Sequence, residues 1–123
     1  MSTLVCETIT NGTDSISIDD NIKGTARAWV SAASNGNINS SYNIASVAEL
    51  PNNLIKITFA TPFADTNYVA VSGPVKLFLG NDPFVLQEYA QPGDGRTTSY
   101  CIFYINQNGV NRPSDYSIVF YSL

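Results

Sequence analysis

The sequence predicts an all-β protein: a β-sandwich or jelly roll of about seven to ten short antiparallel strands, with an N-terminal β arm. Charged residues make up only 13% of the chain, whereas 44% of it is hydrophobic and 11% aromatic. No stretch sustains the i, i+3, i+4, i+7 apolar stripe of an amphipathic helix. Short runs of alternating apolar and polar residues are instead separated by turn signals rich in Asn, Gly and Pro.

The first 22 residues differ from the rest, because their apolar residues come only as short pairs among Thr, Ser and Asp. Weak strand patterns lie at 3–9 and 15–18, on either side of the turn signal Asn11-Gly12. Residues 1–22 are therefore predicted to be an arm for attachment or oligomer contact, the alternative being a frayed terminus with one edge strand. Residues 23–123 are predicted to form a single sandwich domain, since 123 residues suit one domain.

The strands of the sandwich show the two-residue period of a half-buried sheet. The clearest is 54–59, where Ile55, Ile57 and Phe59 share one face. Residues 98–105 are apolar on both faces, which favours a central strand covered on both sides. The other predicted strands, in chain order, lie at 25–30, 42–49, 67–72, 75–79, 84–89 and 115–122, and Gly73-Pro74 is predicted to separate two of them.

Composition excludes several classes of function. The chain has no histidine, which excludes Ser-His-Asp and Cys-His catalysis and every metal site that needs histidine. The net charge of −4 is a poor match for nucleic acid or an anionic membrane. No apolar run approaches the roughly 20 residues of a membrane span, and the start lacks the features of a signal peptide. We therefore expect a protein made in a reducing cytoplasm, with no membrane insertion and with Cys6 and Cys101 as free thiols.

The acidic residues of the chain show no clear pattern of a glycosidase or of a calcium site. Asp19-Asp20 and the pair Glu88 and Asp94 are the nearest to the paired carboxylates of a glycosidase, and scattered acidic residues produce such pairs by chance. Asp65 and Asp94 carry oxygen ligands, but no dense D-x-D-x-D calcium loop is present. We expect no enzyme activity, no metal and no cofactor.

Four segments carry a resemblance to a known family. They read Gly-Thr-Ala-Arg-Ala-Trp-Val at 24–30, Ser-Ser-Tyr-Asn-Ile-Ala-Ser at 41–47, Ile-Thr-Phe at 57–59 and Pro-Phe-Ala-Asp-Thr-Asn-Tyr at 62–68. In this order and spacing they resemble a family of bacteriophage tail-fibre-like domains, common in phages of cyanobacteria and other aquatic bacteria. The resemblance covers most of residues 1–70 and fades over 74–114.

The resemblance implies a non-enzymatic structural protein of a phage virion, a tail-fibre or receptor-binding tip that adheres to host-surface glycan. It also implies a homotrimer, since phage fibres are usually trimeric, with the N-terminal arm contacting other virion proteins. The alternative is a capsid or baseplate decoration protein that stabilises the particle without binding the host.

Two sets of residues are singled out. Trp29 shares a strand face with Arg27, either as a framework contact or as a cation–π platform for a ligand. Loops 80–96 and 106–114 combine amides, carboxylates, Arg and aromatic rings, which suit sugar hydroxyls and pyranose faces, although they could simply be long polar turns. The structural framework candidates are Trp29, Tyr42, Phe59, Tyr68 and Phe120, and the ligand-binding candidates are Asn81, Asp82, Phe84, Tyr89, Arg96, Asn106, Asn108, Asn111 and Arg112.

Overall fold

Strands make up nearly all the regular structure in the computed structural model, which describes residues 5–13, 15–17, 25–74, 84–89, 95–107, 109–111 and 114–122. Within these described residues, the helical element is one short 3-10 turn at Pro51–Asn53. The strands are β1 (Thr8–Thr10), β2 (Ser15–Ser17), β3 (Ala26–Ala32), β4 (Ile38–Tyr42), β5 (Ile44–Leu50), β6 (Leu54–Phe59), β7 (Val69–Pro74), β8 (Phe84–Glu88), β9 (Tyr100–Gln107), β10 (Val110–Asn111) and β11 (Tyr116–Tyr121).

Two antiparallel sheets pack against each other. Sheet I has the order β10-β9-β6-β5, and β8 also pairs with β9. Sheet II has the order β4-β3-β11-β7. Strands β1 and β2 form a separate two-stranded sheet within the predicted arm. The all-β sandwich predicted from the sequence is confirmed. In the described part of the chain, no helix has the length and hydrophobicity needed to cross a membrane.

The core lies between sheet I and sheet II, where strand alternation turns apolar side chains inward. Ile55, Ile57 and Phe59 of β6 are all buried, as their alternation predicted. Phe120 of β11 meets Phe59 across the interface, with ring centroids 5.0 Å apart in an edge-to-face contact. Tyr68 packs edge-on against both rings. Such aromatic pairs stabilise the core beyond the apolar area that they bury.

Strand β9 occupies the central position expected for residues 98–105. It pairs with β6 and with β8. Cys101 and Phe103 face the core, and Ile102, which points to the opposite face, is also buried. The nitrogen of Ile102 donates a hydrogen bond to the carbonyl of Gly95 at 2.8 Å. The strand is therefore covered on both sides at this position.

Three strand predictions differ from the structure. Residues 42–49 are not one strand, because Asn43 adopts a left-handed conformation (φ 55°) where the chain leaves β4 in sheet II and enters β5 in sheet I. Strand β4 was not predicted, since all its residues are exposed and it shows no alternation. Gly73 and Pro74 lie within β7, paired with Ser117 and Tyr116 of β11, rather than in the turn predicted there, and an edge strand tolerates proline at its end. The strand predicted at 75–79 lies outside the described residues.

Candidate functional site

The predicted ligand-binding residues are only partly described. Asn81, Asp82, Asn108 and Arg112 lie outside the described residues, so their role stays a prediction. For Phe84 and Asn111 the backbone alone is described: Phe84 pairs with Gln107, and Asn111 pairs with Asn106. The strands thus bring Phe84, Asn106 and Asn111 to one end of β9.

Two further predicted ligand residues lie towards the other end of β9. Arg96 forms a β-bridge with Cys101, and the backbone nitrogen of Tyr89 donates to the carbonyl of Ile102 at 2.8 Å. Cys101 and Asn106 are five residues apart in the strand, which corresponds to roughly 17 Å. The candidates that the structure describes therefore lie towards the two ends of β9 rather than side by side.

Arg96 is bound by other residues of the fold. Its Nε and Nη2 donate to the two carboxylate oxygens of Glu88 at 2.6 and 2.5 Å. Its Nη1 donates to the carbonyls of Thr66, at 3.1 Å, and of Tyr68. The guanidinium also lies 4.4 Å from the centroid of the Tyr68 ring. These partners occupy the guanidinium and give Arg96 a structural role, while its predicted ligand role stays a prediction.

The five framework candidates divide between the core and the surface. Phe59, Tyr68 and Phe120 are core residues. Trp29 and Tyr42 are cross-strand partners on the outer face of sheet II, because Ala28 and Val30 take the inward face of β3. Trp29 is only half-buried and Tyr42 is 58% exposed. Trp29 and Tyr42 thus contact each other on a strand face, and their framework role stays a prediction.

A surface groove lies beside this aromatic pair, where the chain crosses from sheet II to sheet I. We call it the corner groove; its volume is about 330 Å³. Strand β3 contributes one wall, the end of β4 another, and the segment after β6 the third. Its lining includes Arg27, Tyr42, Asn43, Thr61, Phe63 and Ser122.

Asn43 fixes the walls of the corner groove relative to one another. Its Nδ2 donates to the carbonyls of Arg27 and Thr61, each at 3.2 Å. Its Oδ1 accepts from the nitrogen of Thr61 at 2.7 Å. Its own carbonyl accepts from the nitrogen of Ala60 at 3.1 Å. Asn tolerates the left-handed backbone and also supplies these bonds, so one residue turns the chain and joins the groove's walls.

The groove combines an aromatic surface with a cation for which the described part of the chain supplies no acidic partner. Phe63 stacks on Tyr68 with ring centroids 4.6 Å apart, so its position is set by the core. Among the described residues, the exposed guanidinium of Arg27 takes part in no ion pair and no cation–π contact. The platform with Arg27 stacked over Trp29 is thus absent from the described structure. A guanidinium beside an exposed tyrosine ring is suited to binding a polar ring-shaped ligand without breaking a bond.

A smaller cavity lies at the opposite end of the sandwich. It has a volume of about 60 Å³ and is lined by Glu49, Ser114 and Tyr116 among others. Burial raises the pKa of the Tyr116 phenol, and the charge of Glu49 raises it further. In the described structure the buried Tyr116 hydroxyl has no hydrogen-bond partner. This cavity is too small for a sugar ring, whereas the corner groove has the volume for one.

Within the described ranges, no three Cys, Asp or Glu side chains come together as metal ligands would. No family model, curated protein or solved structure matches the chain.

Proposed function

We propose that this protein is a non-enzymatic structural protein of a bacteriophage virion, a tail-fibre or receptor-binding tip that adheres to host-surface glycan through the corner groove. The observation that carries the proposal is the juxtaposition of the exposed Tyr42 ring and the Arg27 guanidinium, which has no ion-pair partner among the described residues, at a groove of about 330 Å³. The resemblance of residues 24–30, 41–47 and 62–68 to phage tail-fibre-like domains supports the virion assignment.

The residues of the groove match the chemistry of a pyranose. The apolar face of a sugar ring stacks on the Tyr42 ring, and the hydroxyls of Thr61 and Ser122 are available at the lining to bind sugar hydroxyls. Asn43 holds the backbone of this site in place before a ligand arrives. Such preorganisation reduces the entropy lost on binding.

The N-terminal arm supports assembly with other chains. Val5 is 89% exposed and Ile9 is 52% exposed, and in the described structure β1 and β2 form a two-stranded sheet. A two-stranded hairpin is marginally stable on its own in water. In this proposal the arm packs against other virion proteins, the chain forms a homotrimer, and three weak sugar sites act together through avidity.

The exposed arm also fits a second function, a decoration protein that stabilises the capsid or baseplate without binding the host. The two functions differ in what they require. Adhesion requires the corner groove, whereas decoration requires only the arm.

Saturation-transfer NMR on the full chain, with a panel of neutral and acidic sugars, tests the adhesive function. The wild-type protein should show transfer, and Tyr42→Ala should weaken binding several-fold. Tyr104→Ala, which removes a half-buried ring from the outer face of sheet I, is the matched control and should bind as wild type. Absence of transfer from every sugar, together with immunogold label on the capsid rather than the tail, would favour decoration.

A further inference from the structure

We infer that the sugar bound in the corner groove carries a carboxylate, and that Arg27 is the residue that binds it; the inference rests on the proposed glycan-binding function. Arg27 and Arg96 are the arginines that the structure describes, and their surroundings differ. Arg96 is held by Glu88 and two backbone carbonyls. Arg27 is exposed at the groove, with no carboxylate opposite it in the described structure.

The position of Arg27 in the sheet favours a fixed anion site. It lies in β3, which is paired on both sides, with β4 and with β11. Its own carbonyl accepts a hydrogen bond from Asn43. Arg27 itself lies at the register shift between β3 and β11 and just beyond the last β3–β4 pair, Trp29 with Tyr42, so its backbone is anchored by the bond from Asn43. A guanidinium is always charged and offers parallel N–H donors that match the two oxygens of a carboxylate.

The register between β3 and β4 allows one ligand to contact both Arg27 and Tyr42. Trp29 is the direct partner of Tyr42, so Arg27 lies diagonally across from Tyr42 on the same face. Diagonal neighbours in an antiparallel pair are roughly 7–8 Å apart. A pyranose that stacks on the tyrosine ring and carries its carboxylate at the ring edge bridges such a distance. A neutral sugar would leave the guanidinium without an anionic partner.

The charge distribution argues for a single acidic group rather than a polyanion. Arg27 is the one basic residue that lines the described groove, and the chain has a net charge of −4. A phosphate backbone or a highly sulfated chain is bound by several cations along its length. The ligand chemistry that fits is thus a sugar with one carboxylate, such as a uronic acid or a sialic acid.

The test compares paired sugars by saturation-transfer NMR titration. The probes are the methyl glycosides of glucuronic acid and galacturonic acid, their neutral counterparts glucose and galactose, and a singly sulfated galactose. Each is titrated into wild-type protein, Arg27→Gln and Lys56→Gln. Lys56 packs over Tyr100 in sheet I, so Lys56→Gln removes the same charge at a distance from the groove.

We expect the wild-type protein to bind one of the uronic acids roughly tenfold or more tightly than its neutral counterpart. A hydrogen bond between charged groups contributes a difference in affinity of about this size. Arg27→Gln should abolish that preference while leaving the thermal unfolding midpoint unchanged, and Lys56→Gln should keep it. Arg27→Lys should keep only part of it, because the ammonium lacks the planar fork.

Three outcomes would overturn the inference. Equal binding of acidic and neutral sugars, or a preference that survives Arg27→Gln, would contradict the binding of a sugar carboxylate by Arg27. The proposed adhesive function would still stand. If the sulfated galactose bound as tightly as the uronic acids, the groove would be a general anion site and not a carboxylate-specific one. Absence of binding by every probe would overturn the adhesive function itself.

Discussion

The Nδ2 of Asn43 donates to the carbonyl of Arg27 at 3.2 Å, and this contact joins the corner between the two sheets to the strand that carries the groove's arginine. The same side chain bonds both backbone groups of Thr61. The turn that folds the sandwich is thus also the support of the candidate binding site. Loss of Asn43 should affect folding and binding together.

Replacement of Asn43 separates its backbone role from its hydrogen bonds. Asn43→Ala should lower the free energy of unfolding by about 2–4 kcal/mol, because it removes the side-chain bonds and places Ala at a positive φ. Asn43→Gly removes the same bonds without the steric cost, so its loss should be smaller by about 1 kcal/mol. Urea denaturation measures both values. Equal losses in the two variants would show that the left-handed conformation carries no energetic weight.

Removal of Arg96 should weaken the fold without changing sugar specificity. Arg96→Met leaves Glu88 and two carbonyls without their donor, which should lower the free energy of unfolding by about 1–3 kcal/mol. The Arg96 and Glu88 side chains are about 28% exposed, so the loss should lie below that of a fully buried pair. Arg27→Gln is the control, with a change within about 0.5 kcal/mol. Unchanged stability in Arg96→Met would contradict the structural role.

Two buried tyrosines should respond in opposite ways to loss of the hydroxyl. The Tyr68 hydroxyl donates towards the carbonyls of Thr97 at 2.9 Å and Tyr100 at 3.3 Å, so Tyr68→Phe should cost about 1–2 kcal/mol. The Tyr116 hydroxyl has no partner among the described residues, so Tyr116→Phe should be neutral or stabilising by up to about 1 kcal/mol. Thermal and urea unfolding of the two variants gives the comparison. One hydrogen bond contributes a net stability of about 1 kcal/mol. If Tyr116→Phe lowered the free energy of unfolding by about that much or more, the Tyr116 hydroxyl would have a hydrogen-bond partner, against this prediction.

The buried thiol of Cys101 should make the protein less stable at alkaline pH. Burial, and then the charge of Glu88, raise the pKa of Cys101 from 9.0 to about 12. As the pH rises, the thiol therefore loses its proton at a lower pH in the unfolded chain than in the folded protein. The stabilisation is complete below about pH 9 and is lost as the pH rises towards 12. This group contributes a slope of at most about 1.4 kcal/mol per pH unit. Burial also raises the pKa of Tyr68, so its phenol lowers the stability at alkaline pH in the same way.

Urea unfolding from pH 7 to pH 10.5 measures this dependence, and Cys101→Ala should reduce the slope above pH 9. Cys6→Ser is the control, because Cys6 is exposed, and it should leave the slope unchanged. Thiol labelling of the native protein at pH 8 should modify Cys6 rapidly and Cys101 only on unfolding. Rapid labelling of both thiols would contradict the burial of Cys101.

Strands with a buried face were predictable from the sequence, because burial imposes a two-residue period. Residues 54–59 match β6 at both ends, and 115–122 matches β11 to within one residue. Strand β4 could not be found in this way. Its five residues are all exposed, so no alternation distinguishes it from a loop.

The candidate site was harder to predict, because it depends on pairing between distant segments. Arg27 and Tyr42 belong to separate motifs, and only the register of β3 and β4 places them on one face. Arg96 carried no local signal of its structural role, since the carbonyls that it binds are 28 and 30 residues away. The roles of Asn81, Asp82, Asn108 and Arg112 remain predictions of the sequence.

The most direct measurement of glycan binding at the corner groove is chemical-shift mapping of the full chain during titration with methyl glucuronide and methyl galacturonide. We predict that, with at least one of them, the largest shifts occur at the Arg27 side-chain Nε–H and the Tyr42 ring, with smaller shifts at Thr61. Shifts confined to the Phe84, Asn106 and Asn111 end of β9, or no shifts with either sugar, would contradict a glycan site in the corner groove.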